Sequence, residues 1–202
     1  MEIIELFLDE ENENSGIEAI SVVESPAIES DFIALKNQEI KMAEVDKEKR
    51  ILMGAALIPN KPIYRKNAKD DGYYVFFSKD TVKKASEMFF IRGNQSKATL
   101  EHQMSIQNLT VVESWLVDDP KMDKSVKYGL EVPVGTWMVS MKVNNDEIWD
   151  NYVKTGKVKG FSIEGFFSDQ ANRPKEQIEE DLSKDQEAEE LIAKIKSIIS
   201  DN

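Results

Sequence analysis

Strand-length apolar runs recur along this chain, and they restrict its fold more than any other feature. "EIIELFL", "RILMGAALIP", "YYVFF", "KATLEH", "LTVVESWLVD", "GTWMVSMKV" and "VKGFSIEGFF" are short, apolar, and rich in β-branched or aromatic residues, with turn residues between them. In "SGIEAISVVESPA", Ile17, Ala19, Ser21 and Val23 share one strand face before Pro26 stops the strand. One clear helical period stands against these strands, "SKDTVKKASEMFFIRG". It has Ser78 as N-cap, Val82, Ala85, Met88 and Phe89 on one face, and Gly93 just past the end. A shorter helix is expected in "NDEIWDNYVKTG", capped by Asn145 and closed by Gly156. Many short strands with few helices predict an antiparallel sheet or a barrel with helical additions. The runs at 50–59 and 73–77, joined across the polar "NAKDDG", are expected to pair as a hairpin.

A chain of 202 residues with 41% hydrophobic content can bury one core but hardly two. The expected organisation is one domain over 1–168, with N-terminal strands in 1–35, a polar linker or exposed helical stretch at about 37–49, and a core over 50–168. An acidic tail, 169–202, follows. The tail lacks aromatic residues and places Leu191, Ile192, Ile195, Ile198 and Ile199 on one helical stripe, which predicts an amphipathic helix docked on a partner or on the domain itself.

Composition removes several function classes. With 26 basic and 38 acidic residues the net charge is -12, which argues against a nucleic-acid groove while leaving a basic partner open. There is no cysteine, so disulfides and thiolate metal sites are excluded, and His102 is the sole imidazole, so a zinc site is not expected. No regularly spaced acidic loop and no glycine-rich phosphate loop occurs, and neither a metal nor a cofactor is expected. No run of about 18 apolar residues is present, and acids stand where a secretory signal carries Lys or Arg. A soluble, intracellular protein without a membrane partner is therefore expected.

The chemistry concentrates in "KVKGFSIEGFF", residues 157–167. On a strand, Ser162 and Glu164 share a face, and the flanking Gly160 and Gly165 would let another backbone or a substrate approach closely. A reactive serine needs a general base, and His102, in "LEHQMS", is the only imidazole that can take its proton. The plainer reading of each is an inert strand serine and an exposed histidine. Lys159 falls on the face opposite Ser162 and Lys157 lies too far along the chain, so neither is favoured as the base. The spacing Gly-x-Ser-x-x-Gly is not a nucleophile elbow, but it allows a serine in mid-strand facing a histidine on a neighbouring strand. Trp115, Trp137 and Trp149 stand beside Leu, Met and Ile on separate elements and are read as core anchors.

The strings "EHQ", "VVESW" and "GFSIEG", within "LEHQMSIQNLTVVESWLVDDP" and "GTWMVSMKVNNDEIWDNYVKTGKVKGFSIEGFF", resemble the XkdF-like serine protease family of tailed phages and prophages, relatives of the prohead maturation proteases. The likeness covers about residues 50–167. It implies an α+β fold similar to herpesvirus assemblin, mainly an antiparallel β-barrel with surrounding helices, followed here by the helical tail. It also implies a serine endopeptidase, in the host cytoplasm inside the assembling procapsid, that cleaves scaffold and capsid segments and itself. Its expected partners are capsid and scaffold proteins, with self-association. Ser162 matches the family's serine and His102 its histidine. The broader group carries its acid in a segment read as Glu-Val-Ser-Leu-Val before Pro-Ala. Here the similar "EAISVVESPA" precedes the histidine, and aligning Ser21 puts Ala19 where the acid would fall. Glu113 in "VVESW" is the first choice to orient the imidazole, with Glu18 and Glu164 as the other candidates and a solvated strand-face glutamate as the plainer reading of Glu113. The alternative function is a catalytically inactive assembly protein of the same fold.

Overall fold

A computed structural model describes residues 3–9, 12, 14–26, 43–46, 50–67 and 72–169. The expected tail helix and most of the expected linker lie outside the described residues. Within the linker stretch, Ala43–Asp46 is a strand, β3.

The remaining strands are β1 (Ile3–Phe7), β2 (Gly16–Val23), β4 (Ile51–Leu57), β5 (Ile63–Lys66), β6 (Gly72–Phe76), β7 (Ala98–Leu100), β8 (Met104–Ile106), β9 (Leu109–Leu116), β10 (Trp137–Val143), β11 (Gly160–Phe166) and β12 (Ser168–Asp169). Helix α1 spans Lys79–Ile91 and α2 spans Lys124–Lys127, while α3, Asp146–Ile148, runs into a π-turn at Trp149–Val153. Both expected caps form. The Ser78 hydroxyl accepts from the Thr81 N–H at 3.4 Å, and the Asn145 side chain accepts from the Ile148 N–H at 3.1 Å. Gly93 and Gly156 take left-handed backbone at φ 70° and 68°, where glycine ends a helix without steric cost.

The described residues are mainly β, but among them no barrel closes. The strands divide into three four-stranded sheets, ordered β12–β1–β6–β5, β3–β4–β10–β9 and β11–β2–β7–β8. Two pairs, β1 with β6 and β2 with β7, are parallel. Closure would need the edge strand β11 to hydrogen-bond onward. Instead it packs against β4 through side chains of the shared core, with no ladder between them among the described residues. The expected hairpin is also replaced: β4 pairs with β3 and β10, and β6 pairs with β5 and β1. Pro59 and Pro62 bracket the turn after β4, and Asn60 there has φ 56°, so the chain leaves the sheet before "IYRK" starts a new one.

Burial explains the sequence pattern. Two of the middle strands, β2 and β10, are buried almost throughout, as strands covered on both faces must be. Along β10, Trp137, Val139, Met141 and Val143 enter the main core, while Met138 enters a smaller cluster with Met53, Ala55 and Val117. Ile20, Val22, Leu100 and Phe161 approach the main core from the other sheet. Because successive side chains alternate, Ser140 and its cross-strand partner Glu113 lie on the outer face of one sheet. By the same alternation Ser21, Thr99, Ser162 and Glu164 lie on the outer face of the other. Trp137 and Trp149 are core anchors as expected, and Trp115 is half-buried with its Nε1–H donated to Asp123 at 3.0 Å. No helix among the described residues is long and apolar enough to cross a membrane.

Candidate active site

Three strands lay out a row of hydroxyl side chains. Ser162 on β11 is the register partner of Ser21 on β2, and Ser21 is the partner of Thr99 on β7. Side chains directly opposite across an antiparallel pair have Cβ atoms about 4.5–5.5 Å apart, so Ser162 and Ser21 are immediate neighbours. Their hydroxyls differ in how they are used. The Ser21 hydroxyl donates to the Thr99 carbonyl at 3.3 Å and accepts the His102 backbone N–H at 3.1 Å. Ser162 is 3% exposed, and its hydroxyl makes no hydrogen bond with any described residue. Ser21 is therefore committed to holding the backbone, and Ser162 is the hydroxyl left available.

His102 reaches this face through a strained turn. Glu101 and His102 are consecutive left-handed residues, φ 52° and 57°, in a tight turn between β7 and β8 closed by the Gln103 N–H on the Leu100 carbonyl at 3.0 Å. Such a turn suits Asn-Gly, and side-chain-bearing residues there cost on the order of 1–3 kcal/mol each. Tertiary contacts hold it. The Glu101 N–H donates to the Val22 carbonyl, the His102 N–H to Ser21, and the Glu101 carboxylate accepts the Glu24 N–H at 2.6 Å. The turn swings the His102 ring back over the sheet.

There the ring meets Glu164. The His102 Nδ1 is 3.0 Å from Glu164 Oε1, and the same oxygen accepts the Thr99 hydroxyl. An ionised carboxylate can only accept, so Nδ1 carries the proton and the neutral ring keeps Nε2 as its lone-pair nitrogen. His102 is 41% exposed and Glu164 29%, so the pair is open to solvent on one side. No hydrogen bond joins the Ser162 hydroxyl to the His102 ring.

Glu113, the first choice from sequence, lies elsewhere. Its carboxylate is 2.5 Å from the Lys124 Nζ and accepts the Ser140 hydroxyl at 2.6 Å, on the outer face of the sheet across the main core from His102. The Lys124 hydrogen bond, then the Ser140 one, hold the Glu113 carboxyl below the usual glutamate value. Glu18 is exposed on the face opposite Ser21, one residue out of register. Glu164 is the acid beside the histidine, and its register partner on β2 is Ala19. Glu164 thus stands directly across the ladder from the position where the resemblance places the acid. Thr99 and Ser21 were missed as supports of the site, because their spacing to His102 and Ser162 is set by strand register and not by any local motif.

The two glycines flanking the serine strand serve packing. A Cβ at Gly160 would meet Pro26 Cγ at 2.6 Å, and one at Gly165 would run into the Gly16 carbonyl and the Ile17 Cα of β2, where the β11 register shifts. The close approach expected of them is made by the chain itself. Among the described residues no cluster of three or more His, Asp or Glu could hold a metal ion.

A family model described as "Putative phage serine protease XkdF" matches residues 39–170, a span that includes His102, Ser162 and Glu164. No curated protein and no solved structure matches the chain.

Proposed function

The chain belongs to the family described as "Putative phage serine protease XkdF", and from that premise we propose that it is a serine endopeptidase with Ser162 as nucleophile, His102 as base and Glu164 as orienting acid. The observation that carries the reading is the Glu164–His102 pair on the same sheet face as Ser162, a buried residue whose hydroxyl is unused among the described residues. Ser162 Oγ attacks a peptide carbonyl while His102 Nε2 takes its proton. The proton then passes to the leaving amine as the C–N bond breaks, and water, deprotonated by the same nitrogen, hydrolyses the acyl-enzyme. Glu164 holds the imidazole in the tautomer that leaves Nε2 free and stabilises the imidazolium between the steps.

The finer role proposed is capsid maturation: cleavage of scaffold and capsid segments, and of the protein's own chain, inside the assembling procapsid in the host cytoplasm. Family membership supports it, as does a net charge of -12, which suits a protein that does not bind the genome. The test is co-expression with the neighbouring scaffold and capsid proteins, comparing wild type with Ser162→Ala by intact mass. Defined fragments lost only in the variant are expected. Identical masses would overturn the protease reading and leave a non-catalytic assembly protein, which the missing hydrogen bond between Ser162 and His102 favours.

A further inference from the structure

Strand β9 carries an irregularity that leaves part of the core uncovered. Ser140 pairs with Glu113 and Met141 with Val111, so Val112 is the extra residue of a β-bulge. Ser114 and Leu116 pair with Val139 and Trp137, both in the main core, and the Ser114 hydroxyl accepts the Trp137 Nε1–H at 2.8 Å. By strand alternation Val112 faces the same inward side, yet it is 51% exposed. The apolar face of a sheet has to be buried against another element, and α1 supplies that cover only in part. Phe89 meets Trp137 with ring centroids 5.4 Å apart, while Phe90 is exposed. Between helix and strand runs an open groove of about 410 Å³, with Glu87 and Phe90 on the α1 side and Val112, Ser114 and Leu116 on the β9 side. The turn Asn94–Ser96 reaches only the start of β9, where the Ser96 and Thr110 hydroxyls are 3.1 Å apart.

The sequence beyond Asp169, outside the described residues, carries a stripe that fits this groove in length and charge. On a helix, Leu191 to Ile199 covers about 12 Å, and Val112 to Leu116 on the strand covers about 13 Å. At about 100° per residue, Lys194 and Lys196 flank the apolar stripe, one on each side. On the groove, Glu87 is exposed and has no ion-pair partner among the described residues, whereas Glu113 on the opposite rim is already paired with Lys124. Whichever way the helix runs, one lysine falls on the Glu87 side. The 22-residue span from Asp169 to Leu191 is long enough to reach any face. Extended, it covers about 70 Å, against roughly 30 Å for the diameter of a small domain.

We propose that residues 188–200 of the same chain dock as a helix in the groove between α1 and β9, with the apolar stripe over Phe90, Val112 and Leu116 and a lysine on Glu87. Helices held this way lay anchors at i, i+4 and i+7 into an apolar groove, and Leu191, Ile195 and Ile198 have that spacing. The chain's own segment is favoured over a free partner, because a tether holds it at an effective concentration on the order of millimolar. The groove lining contains no residue of the sheet that bears Ser162, so the docked tail covers the open side of the core and leaves the serine face to substrate.

The test is disulfide trapping in the full chain, which has no cysteine of its own, with Ser162→Ala so that self-cleavage cannot remove the tail. Val112→Cys is combined in turn with Ile192→Cys, Ile195→Cys, Ile198→Cys and, on the opposite helix face, Ser197→Cys. Because a disulfide needs Cα atoms within about 7 Å, at least one stripe position should close about tenfold or more faster than Ser197→Cys, and the product should be a monomer by non-reducing gel and intact mass. Glu87→Lys should slow that closure about two- to fivefold at low salt, and Lys194→Glu or Lys196→Glu should restore it. Equal rates at all four tail positions would overturn the docking. Disulfide-linked dimers in place of monomers would overturn it too, and assign the groove to a second copy. A cysteine-free comparison guards against a variant that misfolds: Ile195→Asp should speed hydrogen exchange along 112–116, and exchange unchanged from the parent chain would overturn the proposal.

Discussion

Glu164 and Glu113 are built alike and surrounded differently. Each is a strand glutamate on an outer sheet face, and each accepts a hydroxyl from the neighbouring or next strand and a nitrogen from beyond it. Glu164 takes Thr99 and His102, and Glu113 takes Ser140 and Lys124. The nitrogen makes the difference. An ammonium has three donors and no acceptor, so Lys124 can only fix Glu113 as an ion pair. An imidazole has a second nitrogen, so the same clamp on His102 Nδ1 leaves a base at Nε2. The surroundings differ in the same sense: Ser162, whose hydroxyl has no hydrogen bond among the described residues, lies on the Glu164 face, while Lys124 stacks over Trp115 on the Glu113 face. One carboxylate pairs with an ammonium, and the other with an imidazole.

Substitutions on the two faces are expected to separate cleanly. His102→Ala removes the base and should lower peptide cleavage by about 10⁴-fold or more, as loss of the base does in other serine triads. Glu164→Gln keeps the shape but can offer an N–H to Nδ1, inviting the wrong tautomer, and should cost about 10²- to 10⁴-fold in kcat with little change in melting temperature. Steady-state kinetics on a cleaved peptide checks both. A Glu164→Gln enzyme with wild-type kcat would remove Glu164 from the site and leave a Ser162–His102 dyad.

A swap across the ladder sharpens the comparison further. Ala19 lies opposite Glu164, and the resemblance places the acid there. Glu164→Ala combined with Ala19→Glu should recover about tenfold of the activity lost by Glu164→Ala alone, since opposite Cβ atoms are only about 4.5–5.5 Å apart. Failure to recover activity, with an unchanged melting temperature, would mean that Thr99 and the β11 register shift hold the carboxylate to one strand.

How much of this was legible in the sequence follows from how far each signal reaches. Apolar alternation and caps act within a few residues, so α1, β2, β4, β9, β10 and β11 could be read directly. Ser162 and His102 could be named as candidates, one as a serine in a distinctive string and the other as the sole imidazole, but not the contact of His102 with Glu164, which strand register and the turn at Glu101 set. The sheet division was not, because β4 and β6 are each plausible hairpin partners until the turn at Pro59, Asn60 and Pro62 sends the chain into another sheet. Glu113 was preferred to Glu164 because both follow a strand pattern, and only the main core lying between the two sheets separates one from His102. A strand shows which residues share its face. It does not show which sheet that face belongs to.

The smallest effect belongs to Glu113 itself, and pH gives it a sign. Its carboxyl is held below the ordinary glutamate value, first by Lys124 and then by Ser140. A depressed native value means that the ionised form stabilises the fold. This contribution is fully present above the unfolded-state value of about 4.3 and is lost as pH falls through the lower native value. Its side chain is 50% exposed and screened by solvent, so the pair contributes about 0.2–1 kcal/mol at most. Glu113→Gln should therefore leave cleavage unchanged at neutral pH and lower the melting temperature slightly, with the difference from wild type vanishing in strong acid and shrinking in high salt. Thermal melts across pH 2 to 7 read this directly, and a loss of activity at neutral pH with the fold intact would return Glu113 to the catalytic face.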